Sequence, residues 1–356
     1  MLEFYAYRIQ QRLNQASTLQ MSGCLFLQFL VDATTCIEQW RLNWYRTNQG
    51  KLRTELYRGL HDAIENGDTR TEQVGQRIIL PSTYNGSPRN KQQNYQDAMA
   101  ICRWAGYPDL FITFTCNPKW QEVVDALAYE GGQTHVDRPD IVTRVFNIKF
   151  EEFLEDVKDV SAFGAIQACE LLFIFPTVPL WSPSLNLIII ILVIRFSDLY
   201  VVEFQKRGLP LIWLKESTKD PSPAFIDNLV CAELPDPVVD PLGYILVDEF
   251  MVHGPCGMLD DKCPCMKDGT FSKRFPKSFS SETMVDEMGF PVYHRRPSAN
   301  FVLRKKGTLR LDNQWVVPYN MKLLKKFEAH INVEWCNKTN ILKYLFKYLT
   351  KGPDVA

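Results

Sequence analysis

Apolar positions in the first third of the chain recur at helical spacing. Cys24–Asn48 carries Leu25, Leu27, Phe29, Leu30, Ala33, Ile37, Trp40, Leu42 and Trp44 at intervals that gather on one side of a helix. Leu52–Glu65 continues the pattern until Asn66-Gly67-Asp68 stops it. Arg77–Pro81 reads as a short extended segment. Lys91–Trp104 predicts a further helix, with Asn90 as its N-cap and Gly106 at its end. Asp109–Phe114 runs apolar like a buried strand. Asn117-Pro118 then predicts a helix start with proline at the first helical position. Arg138–Lys158 is amphipathic again, with Ile141, Val145, Phe146, Ile148, Phe150, Phe153, Leu154 and Val157 as its apolar set.

The pattern then changes. Leu171–Ile194 has no charged residue over 24 positions. Pro176, Pro179 and Pro183 break its first half. The unbroken run Leu187–Ile194 is too short to cross a bilayer at about 1.5 Å per residue. A buried or edge strand is expected there, and a membrane tether is the competing reading. Leu211–Leu214 predicts a short strand, and Pro223–Glu233 and Pro241–Val252 predict helices. Gly254–Arg296 is loop-rich. Phe301–Leu311 with Gln314–Pro318 alternates like a hairpin, and Lys325–Trp335 alternates like a strand.

Composition is that of a folded protein: 46% hydrophobic and 23% charged residues in a chain of 356. With a net charge of −1, any nucleic-acid site must be a local basic patch. Candidates are Lys206-Arg207, His294-Arg295-Arg296, Arg304-Lys305-Lys306 with Arg310, and Lys322 with Lys325 and Lys326. The ten cysteines are irregularly spaced and no secretory signal opens the chain, so reduced thiols are expected. No dense nuclear-localisation run occurs. No Gly-x4-Gly-Lys-Ser/Thr loop is present either, so no ATP site is expected.

Tyr344 and Tyr348 stand four apart in Asn340–Gly352, a spacing that shares one helix face. Lys343, Lys347 and Lys351 repeat at the same interval. Tyrosine attack on DNA needs such a phenol, cations near the phosphate, and a divalent ion to polarise it. Packing or a wet surface pair is the plain alternative for two tyrosines at this spacing. His253, Cys256, Cys263 and Cys265 offer four N/S ligands for zinc, although Cys-x-Cys is tighter than the usual loop; plain thiols are the alternative. On a strand, His330, Asn332 and Glu334 would share one face, with His330 as a further metal ligand or as ordinary sheet surface.

The stretch KYLFKYLTKGPD resembles the two-tyrosine motif of the Helitron helicase-like domain, the rolling-circle replication-initiator nuclease of Helitron transposons. The resemblance extends through Arg41–Asp68, Gly75–Trp120, Arg138–Val157, Val202–Pro210, His253–Gly257 and Ala329–Asn340. It implies an α+β fold: a helical N-terminal region, then an antiparallel-sheet nuclease core of His-hydrophobic-His type. It implies cleavage and joining of single-stranded DNA at transposon ends, with Tyr344 and Tyr348 as nucleophiles and Lys347 and Lys351 near the phosphate. Lys206, Arg207 and Lys343 would contact DNA, and a Mg or Mn ion would be the cofactor. No small-molecule substrate is implied, and the location would be nuclear.

The chain departs from this family in three places. In relatives the histidine pair follows the segment matching Glu203–Pro210, and here Leu211 follows at once. No histidine lies between His135 and His253, so about four residues, both metal ligands among them, are missing. Glu203 and Gln205 remain as candidate oxygen ligands, with ordinary strand surface as the alternative. Losing such a metal would cost on the order of 10³-fold in rate. Relatives also place cysteines at the positions of Cys256, Cys265 and Phe271, so with Phe271 here either Cys263 substitutes as fourth ligand or the site is broken. Lastly, residues 165–199 read as a foreign apolar insertion, like translated intron. The expected organisation is 1–160 mainly helical, 165–199 insertion and 200–356 nuclease-like core, in a truncated and degenerate copy.

Overall fold

The computed structural model describes residues 2–12, 18–52, 78–84, 87–130, 132–158, 163, 166–171, 202–203, 207–208, 210–214, 222–254, 266–267, 270–271, 275–285, 291–304 and 307–336. Helices and small antiparallel sheets mix along the chain, as the α+β reading requires. Helix α1 (Leu2–Ile9) precedes α2 (Cys24–Thr47), where the helical spacing of apolar residues placed it. The predicted helix Leu52–Glu65 lies outside the described residues from residue 53 onward.

Helix α3 spans Pro88–Ala105 and starts earlier than its apolar pattern. Ser87, not Asn90, is the N-cap: its hydroxyl accepts the Asn90 N–H at 3.0 Å, and Pro88 follows at the first helical position. Asn90 instead donates its side-chain amide to the Ser82 carbonyl. Strand β1 (Leu110–Thr115) is the predicted buried strand. Helix α4 begins only at Gln121 and ends at Glu130. The Asn117 side chain accepts the Lys119 N–H at 2.9 Å and closes a turn, so Pro118 sits ahead of the helix rather than in it.

Helix α5 (Pro139–Lys158) packs its apolar stripe on the sheet. Phe146, Phe150 and Phe153, spaced for one helix face, stack on Phe114 of β1 with centroids 5.7, 5.9 and 4.7 Å away. The next strands are β2 (Ile166–Leu171), β3 (Val202–Glu203), β4 (Arg207–Gly208) and β5 (Pro210–Leu214). Ile166–Leu171 runs antiparallel to β5, so the first residues of the 165–199 segment form a sheet strand. Leu187–Ile194 lies outside the described residues. Among the described residues, no helix is long and apolar enough to cross a membrane.

Helix α6 (Pro223–Leu229) is capped by Ser222, and α7 (Pro241–Leu246) runs into a π-turn at Val247–Met251. Three two-stranded ribbons follow: β6 (Met266–Lys267) with β7 (Thr270–Phe271), β8 (Met284–Val285) with β9 (Pro291–Val292), and β10 (Val302–Arg304) with β11 (Leu309–Leu311). The expected partner of the last hairpin, Gln314–Pro318, is instead a 3₁₀ turn over Asn313–Trp315 followed by a bridge from Val316 to Val252. Asp312 caps that turn through the Gln314 N–H, which gives the chain a local alternative to pairing.

Helix α8 (Met321–Phe327) takes the first three residues, Lys325–Phe327, of the stretch read as a strand. Asn320 caps it, and Leu323, Leu324 and Phe327 are buried on one face, so helical burial overrides the local alternation. Glu328 ends it in the left-handed conformation at φ 45°. Strand β12 (Ile331–Trp335) then pairs with β1 along its free edge. The six-stranded sheet has the order β2–β5–β1–β4–β3, with β12 on the opposite side of β1. Its core lies between Leu110, Ile112, Phe114, Ile331 and Val333 and the phenylalanines of α5. A second core gathers Leu246, Val247, Met251, Val302, Leu311, Trp315 and Tyr319.

Candidate active site

The alternation of β1 sorts the sheet into two faces. Leu110, Ile112 and Phe114 are fully buried in the core, and Ile331, Val333 and Trp335 join them from β12. Thr113 and Thr115 take the opposite face, where the register sets Thr113 against Asn332 and Phe111 against Glu334. The Thr115 N–H donates to the His330 carbonyl at 3.0 Å, which extends this pairing by one residue. The sheet therefore has one apolar face and one polar face.

Strands β4 and β5 lie along the other edge of β1 in a single register. Leu211 opposes Phe111 and Ile212 opposes Leu110, while Gly208 opposes Phe114 and Arg207 opposes Thr115. Strand β3 then sets Glu203 against Arg207. Glu203, Arg207, Thr115 and His330 thus occupy one row across the sheet. Three strand spacings separate the backbones of Glu203 and His330, about 14 Å. The two are not brought together. Gln205 and Lys206 lie outside the described residues, as do Lys343, Tyr344, Lys347, Tyr348 and Lys351.

Two oxygens on the polar face are buried without a hydrogen-bond partner, Thr115 Oγ1 and Asn332 Oδ1. The Asn332 amide donates to Glu334 Oε1 at 3.0 Å. A carboxylate can only accept, so this contact fixes which end of the amide is the orphaned acceptor. The sequence named Asn332 and Glu334 as face-sharing partners of His330. It did not name Thr113 and Thr115, although the Leu-Phe-Ile-Thr-Phe-Thr alternation carries the signal.

His253 donates its backbone N–H to the Trp315 carbonyl and stacks its ring on Phe275 at 4.7 Å. Cys256, Cys263 and Cys265 lie outside the described residues. Among the described residues, no three His, Cys, Asp or Glu side chains form a group able to hold a metal ion.

The basic runs seen in the sequence are largely spent on protein contacts. Arg295 is buried, and its Nη1 donates to the carbonyls of Ala232, Asn313 and Val316. Burial lowers its pKa to about 10. Arg296 pairs with Glu233, Arg304 with Asp248, Lys325 with Asp240, and Lys326 with Glu152 and Asp156. Arg310 lies over the Phe301 ring at 4.4 Å. Sequence density of cations overstated the free positive surface, because the partners are far away in the chain.

At the far end of β12, Trp335 donates its N–H to the Tyr293 phenol at 2.8 Å. Burial first, then the nearby Glu334 charge, pushes the Tyr293 phenol well above its ordinary pKa, so it stays protonated. Cys336 follows β12, buried, with its thiol also pushed well up by burial. Nothing in the sequence pointed to Tyr293 as the support for the strand that leads to the tyrosine segment.

Residues 4–172 match the family model described as the Helitron helicase-like domain at N-terminus. No curated protein matches the chain.

Proposed function

We propose, from the match of residues 4–172 to the Helitron helicase-like domain, that this Helitron-related chain handles single-stranded DNA at transposon ends, with an impaired metal step. In this reading Tyr344 and Tyr348 are the nucleophiles. A phenolate would form a phosphotyrosyl bond and release a sugar hydroxyl, and Lys347 and Lys351 would offset charge on the phosphate. A nuclear location follows from the same reading.

The register along β1 carries the proposal. Arg207 through Leu211 follow β1 without a break in register, from Thr115 to Phe111. Four more residues between Pro210 and Leu211, with Leu211–Leu214 held in place, would shift the segment along β1. A His-hydrophobic-His pair would then oppose Thr115 and Thr113, on the polar face. In this reading the histidine pair would take register positions of which Arg207 now holds the first. A divalent ion would supply charge neutralisation at the scissile phosphate. The described residues do not fit such an ion, because Glu203 and His330 stand in one row but three strands apart.

What remains is a polar face with Arg207 at a register position in its row. That arrangement supports DNA binding without efficient cleavage. A non-enzymatic single-strand binder is the second reading, favoured by the same Arg207 position. The test is a nicking assay with Mg²⁺ or Mn²⁺, with Tyr348→Phe as control. Salt-dependent single-strand binding that survives Tyr344→Phe and Tyr348→Phe, with no nicking, fits the proposal. Robust metal-dependent nicking lost in Tyr348→Phe would overturn it.

A further inference from the structure

Two supports hold Trp335, the last residue of β12. Its N–H is bonded by the Tyr293 phenol, and its indole meets Phe225 of α6 edge-on at 6.1 Å. These supports are joined to each other by His294. Nδ1 lies 3.0 Å from Asp227 Oδ1 on α6, and Nε2 lies 3.4 Å from Glu233 Oε2. A neutral imidazole carries one N–H. With both nitrogens facing carboxylates, only the imidazolium can donate to both.

Thr283 donates its hydroxyl to Asp227 and accepts the backbone N–H of His294 at 2.9 Å. Arg296 is held on Glu233 by Nε at 3.0 Å, and Arg295 turns its guanidinium away into backbone carbonyls. The Cys231 thiol nearby is pushed up by burial and stays neutral. The charges facing His294 are therefore Asp227 and Glu233, with Arg296 offsetting part of the second.

We propose that Asp227, His294 and Glu233 form a proton-operated clamp on the root of the C-terminal segment. With its proton, His294 ties α6 to residues 293–296 and so fixes both supports of Trp335. Without it, one of the two contacts is lost and Trp335 is held less firmly. The clamp stands on these contacts alone; its effect on tyrosine chemistry rests on the function proposed above.

The test is hydrogen exchange at the Trp335 amide in the full chain across pH, corrected for intrinsic exchange, beside the NMR titration of the His294 ring. Protection should fall about tenfold as the imidazolium loses its proton, the effect of one charge-assisted hydrogen bond. The fall should coincide with the ring titration. His294→Gln should remove the step, and Asp227→Asn should shrink it. A flat wild-type profile, a step away from the His294 titration, or a step that survives in His294→Gln would overturn the clamp. None of these readings depends on DNA cleavage, so the clamp and the nuclease reading can fail separately.

Discussion

The Thr115 N–H donates to the His330 carbonyl at 3.0 Å, so the ends of β1 and β12 are locked in register at the polar face. Arg207 opposes Thr115 from the other edge. The position that a histidine would take with four added residues therefore lies in the same row as His330, with Thr115 between them. Inserting His-Ala-His-Ile between Pro210 and Leu211 should create a divalent-ion site where the natural chain has none of comparable strength. Mn²⁺ binding followed by EPR should show at least a tenfold gain in affinity, the scale of adding ligands to such a site. Equal Mn²⁺ binding by both proteins would refute the register argument.

Trp120 ties the two halves of the main core together. Its Nε1 donates to the Phe327 carbonyl at 2.6 Å, 207 residues away in sequence. Trp120→Phe keeps most of the apolar contact but leaves that buried carbonyl without its donor. Stability should fall by about 1–3 kcal/mol, read as a shift in the urea midpoint at unchanged slope.

Phe114 is fully buried at the centre of the aromatic stack. Phe114→Ala should cost about 3–5 kcal/mol. Phe114→Leu should cost markedly less, because a well-packed leucine refills most of the volume. Equal costs for the two variants would mean that the stack contributes little by shape.

Acid should weaken the fold through Glu233. Burial raises this carboxyl, but hydrogen bonds from the Arg296 side chain and N–H, with the charges of His294 and Arg296, outweigh it and hold its pKa below the usual value. A depressed carboxylate contributes stability above its unfolded pKa, and that stability is lost as pH falls through the folded one. The wild type should therefore lose stability below the ordinary carboxylate range more steeply than Glu233→Gln. Parallel acid profiles would contradict this.

Much of the local structure is legible in the sequence. The apolar spacing of Cys24–Thr47 and Pro139–Lys158 and the alternation of Leu110–Thr115 are periodic signals, and each became the element it predicts. Boundaries were harder wherever a short side chain competes for the backbone. Ser87 moved the start of α3, Asn117 delayed α4, and Asn320 turned Met321–Phe327 into a helix. Non-local relationships left no period to read. Strand β12 pairs with β1 across more than 200 positions, and His294 meets Asp227 across 67. The polar face was only half legible, since His330, Asn332 and Glu334 stand out on one strand, while Thr113 and Thr115 carry only the alternation of β1 and their place opposite that strand came with the pairing.

The most direct measurement is of covalent protein–DNA adduct, using the full chain, a labelled single strand carrying a transposon end, and Mg²⁺ or Mn²⁺. The account predicts single-strand binding without adduct for the natural chain. It predicts adduct that depends on Tyr348 once His-Ala-His-Ile is inserted after Pro210. Adduct formed by the natural chain at a yield matching the inserted one would contradict it.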